Sequence, residues 1–199
     1  GARSAFALCR PPGHHAGREY CGGFCYLNNV AIAAEAALQD GASRVAIIDV
    51  DYHHGNGTQD IFYERGDVLF VSIHAHPDNE FPYLMGYPDE TGTGAGEGCN
   101  LNLAIHKETA SAKLWLEALD AALASVHDFG PDTVLVSLGV DAFHEDPFGG
   151  LGLISDDFRK IGSRVAALKL PTLFVMEGGY AMQDIGHCVS STLMGFEES

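Results

Sequence analysis

No stretch of this chain approaches the roughly 18 to 20 consecutive apolar residues of a membrane span, and the opening Gly1-Ala2-Arg3-Ser4-Ala5-Phe6-Ala7-Leu8-Cys9 is too short for a signal peptide. Positive charge is scarce: 11 Lys and Arg stand against 27 Asp and Glu, a net charge of -16. That balance argues against a surface for the phosphate backbone of a nucleic acid, and it favours a cationic substrate. The five cysteines, Cys9, Cys21, Cys25, Cys99 and Cys188, are irregularly spaced, with no Cys-x-x-Cys pair. They read as free thiols of a reducing compartment, with a Cys-ligated zinc as the alternative. The expected setting is the cytoplasm, with no membrane and no nucleic-acid partner. The glycine series Gly92-x-Gly94-x-Gly96-x-Gly98 lacks the Gly-x-Gly-x-x-Gly spacing of a dinucleotide fingerprint. Internal repeats, low-complexity tracts and linkers are also missing, so residues 1–199 read as a single domain.

What is present suits an enzyme core. With 46% hydrophobic residues and 24 glycines in 199 positions, the chain can bury a substantial interior. Apolar runs at Ser4 to Cys9, Val45 to Val50, Val68 to Ile73, Asp132 to Leu138 and Thr172 to Met176 predict strands. Helices are expected from the Asn28-Asn29 cap to near Gly41, and over Thr58 to Tyr63, Thr109 to Val126, Ser155 to Leu168 and Asp184 to Met194. In the Thr109 helix, Leu114, Trp115, Leu119 and Leu123 read as core. His74 to Gly98 reads as one long loop, and loops of that length in compact domains usually carry function. This alternation gives an α/β fold, a three-layer α/β/α arrangement around a mostly parallel sheet. A strand that enters a site loop within about ten residues implies that part of the domain precedes Gly1.

The chemistry lies at the strand ends. Asp51 and His53 follow Val45-Ala46-Ile47-Ile48 and are one residue apart, so both point the same way at the carboxyl edge of the sheet, where open α/β folds bind ligands. Asp141 follows Thr133 to Leu138. Three protein ligands with an open fourth position are the pattern of a catalytic zinc site. His14 and His15, after Pro11-Pro12-Gly13, are suited to general acid and base work. Asp49 and Asn56 are the partners that would fix their tautomers: a carboxylate keeps one imidazole charged or strongly basic, an amide leaves the other nearer neutral. Tyr180, after Glu177-Gly178-Gly179, could donate to an oxyanion. Taken singly, Asp141 could be a helix cap, the histidine pairs ordinary loop residues, and Tyr180 an aromatic packed at a turn.

Five motifs, in order and spacing, resemble the histone deacetylase superfamily of the arginase-deacetylase fold. They are Arg10-Pro11-Pro12-Gly13-His14-His15-Ala16, Gly22-Gly23-Phe24-Cys25-Tyr26-Leu27-Asn28-Asn29, the Asp49 to Gly57 run, Ser137-Leu138-Gly139-Val140-Asp141 and Glu177-Gly178-Gly179-Tyr180. The resemblance implies one Zn2+ on Asp51, His53 and Asp141, acid and base work by His14 and His15, and a transition-state donor in Tyr180. It implies a substrate channel at Gly23, Phe24 and Phe81. It also implies K+ or another monovalent cation, held by Asp49 and Ser72 with backbone oxygens of Asp51, His53 and Ile73, and a second one on the carbonyls of Phe62, Arg65 and Val68. Asn56, where class I deacetylases carry aspartate, resembles the bacterial and class II branches.

Within the superfamily, His74-Ala75-His76-Pro77, Phe81-Pro82 and Gly86-Tyr87-Pro88-Asp89-Glu90-Thr91-Gly92 are most similar to bacterial acetylpolyamine amidohydrolases. The implied substrate is a small acetylated amine, and the implied full-length protein is a homodimer. Protein-lysine deacetylation is the alternative. Two further readings are a binding module that only captures acetylated ligands, and a two-manganese ureohydrolase, which would need more metal-site aspartates.

Overall fold

Five apolar runs and one stretch that alternates asparagine with leucine become strands, and their order across the sheet decides where the chemistry sits. The structure, a computed structural model, describes residues 3–199; Gly1 and Ala2 of the expected domain lie outside the described residues. In chain order the elements are β1 (Ser4–Ala7), α1 (Asn29–Gln39), β2 (Val45–Asp49), α2 (Asn56–Phe62), β3 (Val68–Ala75), β4 (Asn100–Ile105), α3 (Ala112–Phe129), β5 (Thr133–Leu138), α4 (Ser155–Ala166), β6 (Thr172–Met176) and α5 (Ile185–Glu197), with short 3-10 turns at Gly94–Gly96 and Lys107–Thr109. The six strands run in the order β1-β6-β5-β2-β3-β4. Every pairing is parallel, so the sheet expected to be mostly parallel is wholly so.

Parallel strands covered on both faces need apolar residues on both sides. Along β2, Val45 and Ile47 pack with Ala31 and Ala34 of α1 and Phe62 of α2. Ala46 and Ile48 pack in the opposite layer with Trp115 and Leu119 of α3, Phe158 of α4 and Phe196 of α5. The chain moves outward from β2 through β3 to β4, then returns to place β5 on the other side of β2. The strand order reverses there, and a crevice opens at the carboxyl ends of β2 and β5.

Three expectations are corrected. β4 falls in a stretch with no expected strand, because its sequence Asn100-Leu101-Asn102-Leu103 is low in β propensity and its pattern is inverted. The asparagines are buried while Leu101 and Leu103 are only half-buried. Both asparagine amides donate to Gln59 Oε1, at 2.9 and 2.8 Å, which satisfies these donors inside the sheet edge. Next, His74 and Ala75 belong to β3, so the long loop starts at His76. Finally, α3 starts at Ala112, because Ser111 is its cap and accepts from Leu114 N at 3.2 Å, and it runs to the left-handed Gly130. Trp115 and Leu119 are buried in the core and Leu123 packs against it. Leu114 is exposed, since it sits beside the stripe that continues through Ala122 and Val126.

Helices α4 and α5 cross closely because glycines face carbonyls: a Cβ on Gly162 would run into the Thr192 carbonyl, and one on Gly195 into that of Arg159. Gly162→Ala gains about 0.8 to 1.0 kcal/mol of helix propensity, but overpacking against a backbone that cannot step aside costs about 1 to 3 kcal/mol. The clash is expected to win. A lower urea midpoint at unchanged slope checks this, and an unchanged or raised midpoint would contradict it.

Candidate active site

The ends of β2 and β5 bring three side chains to one point. Asp51 Oδ1 accepts from His53 N at 2.9 Å, and its Oδ2 accepts from Gly178 N at 2.8 Å. Asp141 Oδ1 accepts from Tyr52 N at 2.7 Å, which turns Oδ2 toward His53 Nδ1 at 2.9 Å. His53 Nδ1 lies 3.3 Å from Asp51 Oδ1. One ligand atom from each of Asp51, His53 and Asp141 falls within 4.8 Å of the others. Ligand bonds of about 2.0 to 2.2 Å at tetrahedral angles put neighbouring ligand atoms about 3.3 to 3.5 Å apart, so this spacing fits an ion of zinc's size.

The electrostatics also ask for a cation. Both carboxylates are fully buried. Burial, and then the charge of Asp51, pushes Asp141 up to about 7. Burial works against charge on His53, but the hydrogen bonds and charges of Asp141 and Asp51 outweigh it and raise it to about 10. A buried cluster with two carboxylates and one imidazole is balanced by a divalent ion. Gly139 and Gly178 are required here, since a Cβ on either would press on Asp51 Oδ2, and at Gly178 on Asp141 Oδ2 as well. Among the described residues no cysteine joins the cluster, and all five cysteines are free thiols.

The loop after β1 carries the histidine pair into the same crevice, with ring centroids 4.0 Å apart. His14 Nδ1 stands 2.9 Å from Asp49 Oδ2, and His15 Nδ1 stands 2.7 Å from Asn56 Oδ1. Both partners accept, so both histidines donate from Nδ1; His15 lines the cavity, and behind it His14 Nε2 lies 3.8 Å from Asp51 Oδ1. Asn56 is the first residue of α2, so helix and strand end each hold one imidazole. The carboxylate and amide act differently. Burial opposes charge on His14, yet Asp49 and Asp51 raise it well above the usual imidazole range. Burial, followed by the charge of His14, lowers His15 to about 3. His54, second of the other pair, does not join: its Nδ1 lies 3.3 Å from Ser72 Oγ, and burial and then His74 hold it well below the usual range.

In the sequence Glu177 stands only as the first residue of the turn that leads to Tyr180. Fully buried at the end of β6, its Oε2 accepts from Gly13 N at 2.6 Å and His14 N at 3.1 Å, which ties the histidine loop to the sheet. An acidic residue closing an apolar strand is the one signal that pointed to it.

A cavity of about 410 Å³ opens beside these groups, and His15, Gly23, Phe24, His53, Phe81 and Tyr180 line it. Phe81 stands edge-on to His15 at 4.9 Å. Gly23 sits at φ +52 where a Cβ would strike the His15 ring, so the glycine is a steric requirement. Burial, and then the charges of Asp51 and Asp141, raise the Tyr180 phenol, keeping it a proton donor. Glu80 and Phe148 complete the wall, and sequence patterns gave no sign of either. Asp49 and Ser72 face each other in the β2–β3 register. Phe62, Arg65 and Val68 lie between the end of α2 and the start of β3. A larger open groove of about 1020 Å³ runs along α1, lined in part by Arg18, Tyr20, Ile32 and Arg65, and holds none of the crevice's histidines or carboxylates.

Comparison with known proteins agrees with this arrangement. Residues 1–196 match the description "Histone deacetylase domain". Acetylpolyamine amidohydrolase 1 of Pseudomonas aeruginosa is 57% identical over 197 residues, covering 99% of this chain and 57% of that protein. Acetylpolyamine amidohydrolase of Mycoplana ramosa is 50% identical over 195 residues, 98% of this chain and 57% of that protein. The crystal structure of acetylpolyamine aminohydrolase from Burkholderia pseudomallei superposes with a TM-score of 0.95 at 46% identity, covering 98% of this chain and 57% of that one. The chain therefore spans little more than half the length of these relatives. Domain match, sequence identity and backbone agree over nearly every residue present, and this chain belongs to the histone deacetylase family.

Proposed function

We propose that this chain is the core of a zinc-dependent amidohydrolase that removes acetyl groups from small acetylated amines, acetylpolyamines in particular. The observation that carries the reading is one aromatic-walled cavity lined by His15, His53 and Tyr180, with Asp51 and Asp141 clustered on His53 and His14 packed against His15. A zinc ion, when bound by Asp51, His53 and Asp141, polarises the substrate carbonyl and lowers the pKa of a water molecule toward neutrality.

The remaining work belongs to the side chains. Neutral His15 takes the proton of the attacking water on Nε2 as the water oxygen bonds to the carbonyl carbon. His14, kept charged by Asp49, stabilises the negative charge that develops. Tyr180 donates its phenolic proton as a hydrogen bond to the carbonyl oxygen. The C–N bond then breaks as the proton on His15 passes to the leaving nitrogen, giving acetate and a free amine. Phe24 and Phe81 grip the methylenes of the substrate, with Gly23 leaving room beside His15. The reading includes a monovalent cation, potassium, on Asp49 and Ser72 with the backbone oxygens of Asp51, His53 and Ile73, a second on the carbonyls of Phe62, Arg65 and Val68, and a homodimer of the full-length protein.

Acetylpolyamines are preferred because the relatives above carry that activity in their names and because a net charge of -16 attracts a cationic amine. With full-length protein, kcat/KM for N-acetylputrescine is expected to exceed that for an acetyl-lysine peptide by more than about tenfold, a difference of about 1.4 kcal/mol in transition-state binding. Equal or reversed values would favour protein-lysine deacetylation. No turnover of either by zinc-loaded protein would favour a binding module.

Tyr180→Phe keeps the ring and deletes the donor. Loss of such a donor costs on the order of 10² to 10³ in kcat, while KM and zinc content stay near normal because the phenol is not a ligand. A wild-type rate in this variant would make the Glu177-Gly178-Gly179-Tyr180 turn merely structural.

A further inference from the structure

Asp146 belongs to none of the groups in the proposed chemistry, yet it is buried beside them at 7% exposure on the segment that follows Asp141. Its Oδ2 accepts from Tyr180 N at 2.7 Å and from Ala181 N at 3.0 Å. Its Oδ1 accepts from Phe148 N at 3.0 Å. The Phe148 ring in turn stands edge-on to the Tyr180 ring, with centroids 5.0 Å apart, and both rings line the cavity. We propose that Asp146 is a positioning residue that fixes Tyr180 and the Phe148 wall together, so that the phenol is presented to the reacting carbonyl in one orientation.

The turn itself explains the need. Gly178 is anchored, donating to Asp51 Oδ2 at 2.8 Å and accepting from Val140 N at 2.8 Å. Gly179 follows at φ +149, a conformation that favours glycine, and so forms a hinge just ahead of the tyrosine. Among the described residues the phenol O–H has no hydrogen-bond partner, so its direction depends on the backbone beyond the hinge and on the neighbouring rings. Asp146 is the second anchor, on the far side of the hinge. A carboxylate suits this task because one oxygen can accept two backbone N–H groups while the other accepts a third. Sub-ångström placement matters for a donor that acts in the transition state, where a shift of about 1 Å costs on the order of 10²-fold.

The inference rests on the role proposed for Tyr180, and a double-mutant cycle separates the two. In full-length, zinc-loaded protein turning over N-acetylputrescine, Asp146→Asn is expected to lower kcat on the order of 10- to 100-fold, with KM and zinc content changed less than about twofold. In the Tyr180→Phe background the same change is expected to cost less than about twofold, since the donor it positions is already gone. Should the asparagine variant fail to fold, Asp146→Ser, which removes the carboxylate but keeps an acceptor oxygen, enters the same cycle. A wild-type kcat in the Asp146 variant, or the same factor lost in both backgrounds, would overturn the positioning role alone. A Tyr180→Phe protein with wild-type kcat would overturn it together with the role proposed for the phenol.

Discussion

Asp141→Ala is expected to leave the protein without stoichiometric zinc and without measurable hydrolysis. Asp141 comes from β5 while Asp51 and His53 both follow β2, so its loss removes the contribution of an entire strand to the cluster. Two ligands do not hold an ion in a tetrahedral site. Removing one of two buried carboxylates also lowers the negative charge that recruits the cation. The variant loses the acceptor for Tyr52 N as well, so Asp141→Asn, whose amide oxygen can still take that hydrogen bond, serves as the companion in which folding is preserved. Metal content by mass spectrometry decides the outcome. One zinc per chain and near-wild-type turnover in either variant would show that the ligand assignment is wrong.

The second large effect separates the histidines. His15→Ala is expected to lower kcat by on the order of 10² to 10⁴, the usual worth of a positioned acid or base, while His14→Ala retains more activity. Their rings are only 4.0 Å apart, and proximity does not distinguish them. Their partners do. Asp49 keeps His14 charged and therefore a poor proton acceptor, whereas Asn56 places no charge beside His15, which burial and His14 hold down to about 3. An imidazole in that state is neutral and keeps a free Nε2 lone pair, which the charged His14 lacks. Single-turnover rates of full-length variants measure the difference, and equal losses would remove the argument for divided roles.

Much of this was legible along the chain because it depends on local order. A continuous apolar run from Val45 to Ile48 needs a strand covered on both faces, and the one-residue spacing of Asp51 and His53 puts both on one side of its end. Asn28 announces a helix start through the short side chain that caps it. An imidazole buried at a site needs a partner to fix its tautomer, which singles out Asp49 and Asn56 as candidates, while the fold sets which ring meets which. The edge strand β4 was not legible, since the amides of its buried asparagines donate to Gln59 and to the carbonyls of Tyr87 and Glu90 on other segments, contacts that no property of Asn100-Leu101-Asn102-Leu103 encodes.

The order of residues along the chain therefore sets the chemical groups and the strands that deliver them. Which groups act together was decided by the tertiary structure, through the return of β5 to the side of β2, where the reversal of strand order opens the crevice. The same holds for the supporting carboxylates. Glu177 and Asp146 are ordinary acidic residues in the sequence, and they become organisers of the site only because the fold brings the N–H groups of Gly13 and His14 to one, and those of Tyr180, Ala181 and Phe148 to the other, within about 3 Å. A hydrogen bond acts only over that distance, and the chain separations it spans here, up to 164 residues, leave no local trace.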